Sequence, residues 1–127
     1  MKKLLAALGA GALLISLTGC GTPPPPPFLL FQKAYDTCGT PSGVTVSDEG
    51  TTITIDGNGD YQSYGADIYD IACVLSEVNT PTYIISNMDT TNSLMGRQTA
   101  SFDGIDVSWS YHPDNGLDIV LHKRTEE

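Results

Sequence analysis

Ala100-Ser101-Phe102-Asp103-Gly104-Ile105-Asp106-Val107-Ser108-Trp109-Ser110-Tyr111-His112-Pro113-Asp114-Asn115-Gly116-Leu117-Asp118-Ile119-Val120-Leu121-His122 decides the fold. Apolar and polar residues alternate through it with a period of two, as strands with one buried face require. Two turn compositions interrupt the alternation. Asp103-Gly104 is a two-residue hairpin turn, and His112-Pro113-Asp114-Asn115-Gly116 is a longer one, with Pro near its start and Gly where positive φ is needed. Together they predict a three-stranded meander in which Phe102 faces Ile105, Ala100 faces Val107, Tyr111 faces Leu117, Trp109 faces Ile119 and Val107 faces Leu121. Ile105, Val107, Trp109 and Tyr111 then point to the core. Thr99, Ser101, Asp106, Ser108, Ser110, Asp118, Val120 and His122 occupy the wetter face.

Working back from the meander, Asn79-Thr80-Pro81 starts a helix with Thr80 as N-cap, Pro81 at the first position and Ile84, Ile85 and Met88 buried. Tyr83-Ile84-Ile85 also reads as a strand. A clearer helix begins at the cap Asp67, with Asp70 in its first turn and Ile68, Ile71, Ala72, Leu75 and Val78 on one face. Val44-Thr45-Val46 and Thr51-Thr52-Ile53-Thr54-Ile55 alternate on either side of Ser47-Asp48-Glu49-Gly50, which reads as a hairpin. Ahead of it, Phe31, Ala34, Tyr35 and Cys38 keep helical spacing from a start at Pro27, and Gly39 ends that helix. Phe28, Leu29 and Leu30 add apolar surface, but no basic face accompanies them to hold the helix on lipid. The expectation is one small α+β domain over residues 28–127. It has two layers, an antiparallel sheet made of the N-terminal hairpin plus the C-terminal meander, packed on about three helices.

The other end of the chain carries an address. Met1-Lys2-Lys3 precedes an uncharged stretch from Leu4 to Gly19, which has the order of a secretory signal. Sixteen residues, three of them Gly, are short of the roughly 20 that span a bilayer, and no basic stop follows. Leu17-Thr18-Gly19-Cys20 resembles the lipobox of bacterial lipoproteins. The resemblance implies cleavage of residues 1–19, a diacylglyceryl group on Cys20 and a chain tied to the outer face of the cell membrane. Residues 20–27 would then be the lipidated Cys and its tether, with Pro23 to Pro27 as a polyproline II spacer of ~15 Å. A second resemblance covers most of the remaining chain. Met88-Asp89-x-Thr91, Gly96-Arg97-Gln98-x-Ala100-x-Phe102-Asp103-Gly104-Ile105 and Ser108-Trp109-x-Tyr111-His112-Pro113-Asp114-x-Gly116-Leu117-Asp118 are similar to a group of small actinobacterial lipoproteins. That likeness implies a location and a fold, and no activity or functional residue.

Lipidation of Cys20 leaves Cys38 and Cys73, which in an oxidising compartment have one way to pair. Loss of Lys2 and Lys3 leaves four basic residues against 15 acidic ones, a side-chain balance of −11. Such a domain has no basic patch with which to displace phosphate counterions, so nucleic acid is not an expected partner.

Candidate chemistry is sparse. Asp56-x-Asn58-x-Asp60 with Asp67 has the oxygen spacing of a calcium loop, but Tyr61 stands where that loop needs Gly, and Asp67 caps a helix. Ser101, Asp106 and His122 fall in one row across three strands, in the wrong order for a serine hydrolase, whose His stands between nucleophile and carboxylate. His112 and His122 share no zinc spacing. A possible ligand pocket lies among Arg97, Gln98, Trp109, Tyr111 and His112, where an aromatic platform would stand beside a cation and an imidazole. The sequence thus points to a cofactor-free, non-catalytic binding module held at the membrane through Cys20, with an envelope or extracellular partner. An envelope hydrolase acting on wall material and a calcium-dependent structural protein are the alternatives.

Overall fold

The structure, a computed structural model, describes residues 27–125 together with Gly19 and Gly21. Residues 1–18 of the leader, Cys20 and residues 22–26 of the tether lie outside the described residues, so the cleavage, lipidation and spacer expectations fall there. Along the chain run α1 (Pro27–Thr37), β1 (Val44–Ser47), a 3₁₀ turn (Asp48–Gly50), β2 (Thr52–Asp56), α2 (Ile68–Glu77), α3 (Thr82–Asp89), β3 (Gln98–Phe102), β4 (Ile105–His112) and β5 (Gly116–Lys123). The fold is α+β, as expected. No helix among the described residues is long and apolar enough to cross a membrane.

The β3–β4 hairpin closes on local turn chemistry. Asp103 and Gly104 adopt φ of 47° and 72°, the left-handed pair a two-residue turn needs. The meander register follows residue for residue: Phe102 with Ile105, Ala100 with Val107, Trp109 with Ile119, Val107 with Leu121 and Tyr111 with Leu117. Antiparallel pairing of β2 with β5 then joins the first hairpin to the meander in one sheet, ordered β1-β2-β5-β4-β3.

That joint creates continuous side-chain rows. On one face Val44, Ile55, Ile119, Trp109 and Gln98 align across five strands, beside Val46, Ile53, Leu121, Val107 and Ala100. Phe31 and Ala34 of α1, Ile71, Val74, Leu75 and Val78 around α2, and Ile84 and Met88 of α3 bury against this face in one core. The other face carries Ser47, Thr52, His122, Asp106 and Ser101 in one row and Thr45, Thr54, Val120, Ser108 and Thr99 in the next.

Several expected core positions differ. The α2 stripe is Ile71, Val74, Leu75 and Val78, while Ile68 is 65% exposed and Ala72 is also exposed. Ile68 and Tyr69, which open α2, stay outside the core beside the Asp67 cap, which accepts from Tyr69 and Asp70 N–H at 2.8 and 2.9 Å and stands at the surface. In α3 Pro81, not Thr80, is the cap, and Ile85 is 38% exposed. Thr80 is already committed: its N–H bonds to Leu75 C=O at 2.9 Å to end α2, with Asn79 left-handed at φ 58°. Tyr111, at the turn end of β4, is half exposed and stays outside the core.

Cys38, one residue past α1, and Cys73 in α2 form a disulfide with Cα atoms 5.9 Å apart. It ties two helices that also pack against each other and closes a loop of 35 residues' separation. By loop entropy alone the double variant Cys38→Ser/Cys73→Ser should lose ~3.5–4 kcal/mol in urea denaturation. A loss under about 1 kcal/mol would mean that the α1–α2 packing holds without the bridge.

Candidate functional site

The five residues proposed from sequence as one pocket divide between the two faces of the sheet. Trp109 is a core residue. Its Nε1–H donates to Thr91 Oγ1 at 2.8 Å, and the Thr91 hydroxyl donates to Asn87 C=O at 2.6 Å, a relay that fastens β4 to the end of α3. Gln98 lies beside Trp109 and donates from Nε2 to Met95 C=O at 2.9 Å, at a shallow cavity of about 230 Å³. Arg97 lies over the opposite face, donating to Ser108 Oγ at 3.1 Å and Ser110 Oγ at 3.3 Å. His112, at the end of β4, accepts on Nδ1 from Asp114 N–H at 3.1 Å. Gln98 and Trp109 share a cavity with each other and not with the cation, Tyr111 or the imidazole.

The polar row is aligned as expected but is wired otherwise. Ser101 Oγ donates to Asp106 Oδ1 at 2.7 Å, and Asp106 also meets Arg124 Nε at 3.5 Å. His122 Nδ1 is hydrogen-bonded to Thr52 Oγ1 at 2.9 Å, and Thr52 is buried. Nδ1 is thus held by β2, while His122 lines an open cavity of about 390 Å³ with Asp106 and Ser101.

The calcium-type residues are also dispersed. Asp67 is the α2 cap, and Asn58 and Asp60 sit in a loop whose main chain folds back on the sheet. Gly57 N–H reaches Leu117 C=O at 3.1 Å, Asn58 N–H reaches Ala66 C=O at 3.1 Å, and Asp60 N–H reaches Pro113 C=O at 2.9 Å. Gly59 and Gly116 permit this approach, since a Cβ on either would strike the main chain of the other turn. Among the described residues no group of three or more His, Cys, Asp or Glu side chains comes together to hold a metal.

The docked loop creates a different site, one the motifs did not reveal. Asp56 and Asp118 are direct cross-strand partners at the end of the open face. With Asp114, Asn115, Tyr61, Gln62 and Tyr64 they line a cleft of about 420 Å³. Tyr61 and Tyr64 stand 87% and 68% exposed at its walls. Gln62 Oε1 and Asp118 Oδ1 are buried there with no hydrogen-bond donor. Burial, foremost, and then the charge and hydrogen bonding of Asp56 push the Asp118 carboxyl above its ordinary pKa, against the pull of Arg97 and of the Gly57 N–H. The cleft is thus an acceptor-rich, negatively charged concavity with aromatic walls. One signal was legible in retrospect: the register places Asp118 on the open face, but its neighbour Asp56 follows only from β2–β5 pairing.

No family model, no curated protein and no solved structure matches this chain.

Two outcomes test these assignments. Thr91→Val leaves the Trp109 N–H buried without an acceptor and should cost about 1–3 kcal/mol of stability; an unchanged denaturation midpoint would remove the relay from the core. For Asp118, a raised carboxyl pKa means that the folded chain holds this proton more tightly than the unfolded one. Its stabilising contribution is complete below about pH 4 and is lost as pH rises through the folded value. Asp118→Asn should therefore raise Tm relative to the parent at pH 7, with the gain shrinking toward pH 4. A difference independent of pH would show that the carboxyl is not the cause.

Proposed function

We propose that this chain is a membrane-anchored extracytoplasmic binding module, without catalysis of its own, which captures a cationic group in the cleft between Asp56–Asp118 and Tyr61–Tyr64. The anchoring half of this reading is supported by the Leu17-Thr18-Gly19-Cys20 motif and the proline run that follows it. The binding half is carried by one observation: two acceptor oxygens, Gln62 Oε1 and Asp118 Oδ1, lie buried at the cleft without a donor. A buried acceptor left unpaired costs about 1–3 kcal/mol, which a ligand donor recovers. Ammonium and guanidinium groups bring donors only, and their charge is matched by Asp56, Asp114 and Asp118. Tyrosine faces add cation–π attraction. Binding is favoured over hydrolysis because Ser101 is bonded directly to Asp106 with no histidine between them, while His122 Nδ1 is held by Thr52.

Calorimetric titration of the full chain with L-argininamide, a cation without a carboxylate, tests the cleft. A millimolar-range affinity is expected, weakened about tenfold or more in Asp56→Asn/Asp118→Asn, which removes both charges. Heat no greater than that of an uncharged amide would sink the cation reading. A Tm raised by calcium and not by the amine would hand the cleft to a divalent ion. Intact-mass measurement of membrane-extracted protein tests the anchor, through a diacylglyceryl increment on a chain beginning at Cys20.

A further inference from the structure

We infer that β3 is a self-association edge, at which a second copy of this chain adds its own β3 antiparallel about Ala100. β3 ends the sheet, with β4 on one side and, among the described residues, no strand on the other. The hydrogen-bond parity of the sheet identifies which of its groups point outward. Lys123 N–H donates to Thr51 C=O at 2.7 Å and Gly57 N–H to Leu117 C=O at 3.1 Å, so the odd residues of β5 bond to β2. Because bonding alternates along a strand, even residues of β5 bond to β4, odd residues of β4 bond to β3, and even residues of β3 bond back to β4. Thr99 and Ser101 are left with N–H and C=O directed away from the sheet. Both are exposed, and no main-chain or side-chain group among the described residues bonds to their backbone.

Edges of this kind are normally blunted by charge, proline or a bulge. β3 has none of these in Gln98–Phe102. The opposite edge is guarded: β1 is four residues long, and its Val44 N–H bonds to Pro41 C=O at 3.3 Å.

The flanking charges select the occupant. In antiparallel pairing centred on Ala100, Thr99 opposes Ser101 of the second copy, which matches the outward groups and forms about four main-chain hydrogen bonds. Ala100 meets Ala100, the smallest pair available. Arg97 opposes Asp103 of the second copy, and the two-fold axis repeats the pair. Moving the centre to Thr99 or Ser101 keeps the hydrogen-bonding parity and loses both charge pairs. Arg97 is exposed, so its bonds to Ser108 and Ser110 exchange readily for a carboxylate. The strand is therefore complementary to itself in hydrogen bonding, volume and charge at a single register.

Sedimentation equilibrium of the full chain from about 1 μM to about 1 mM should show a monomer–dimer equilibrium. Ser101→Pro removes an outward N–H and the exposed Ser101 Oγ–Asp106 hydrogen bond, a change edge strands tolerate, and should weaken the dimer at least tenfold while Tm stays near the parent value. Asp103→Asn keeps the turn and should weaken it a few-fold. A chain monomeric throughout, or an association that Ser101→Pro leaves intact, overturns the inference. Should Ser101→Pro fail to fold, hydrogen exchange on the parent decides. Thr99 and Ser101 amides should gain protection as concentration rises, and equal exchange at both ends of the range would refute the edge contact.

Discussion

Pairing of β2 with β5 is the contact on which the rest of the structure depends. Among the described residues it is the only place where the N-terminal hairpin and the C-terminal meander share main-chain hydrogen bonds along a strand. At this seam Ile53 faces Leu121 and Ile55 faces Ile119, and all four are fully buried. Fully burying each such side chain contributes about 1.5–3 kcal/mol, a large share of what a small core can supply. Without it the two-stranded hairpin would be too small to stand alone, and the meander would lose its cover at β5.

The same register dictates the open face. Side chains alternate strictly, so placing Ile53 and Ile55 inward against Leu121 and Ile119 forces Asp56 against Asp118 on the other side. A carboxylate pair is an unfavourable neighbour arrangement, tolerated because sliding the strand by one residue would turn the whole apolar set to water. The loop after β2 then folds over this pair and brings Tyr61, Gln62 and Tyr64 beside it. A strain that originates in core packing thus becomes a charged cleft. Thr52 and His122 are brought together by the same pairing, which fixes the imidazole on β2.

Much of this was legible locally. Turn residues such as Asp103-Gly104 set the meander register, because a two-residue loop admits one pairing. The Asp67 cap and the Cys38–Cys73 bridge were also readable. Less was readable on the helices, where Ile68 and Ile85 fit an apolar periodicity yet stand outside the core. Periodicity defines a stripe but not how far the sheet beneath it extends. The pocket expected around Trp109 shows the same limit. Arg97 and Gln98 are neighbours in sequence, and a strand sends neighbours to opposite faces.

By itself the sequence determined the strands, their turns, the two-faced alternation and the α+β class, since each rests on dihedral preferences and polarity within a few residues. Only the tertiary structure decided that β2 lies against β5, that two aspartates more than sixty positions apart share one cleft, and that β3 is left at the edge. Those outcomes depend on which apolar faces bury one another, a free energy summed over the whole core that no local stretch of chain contains.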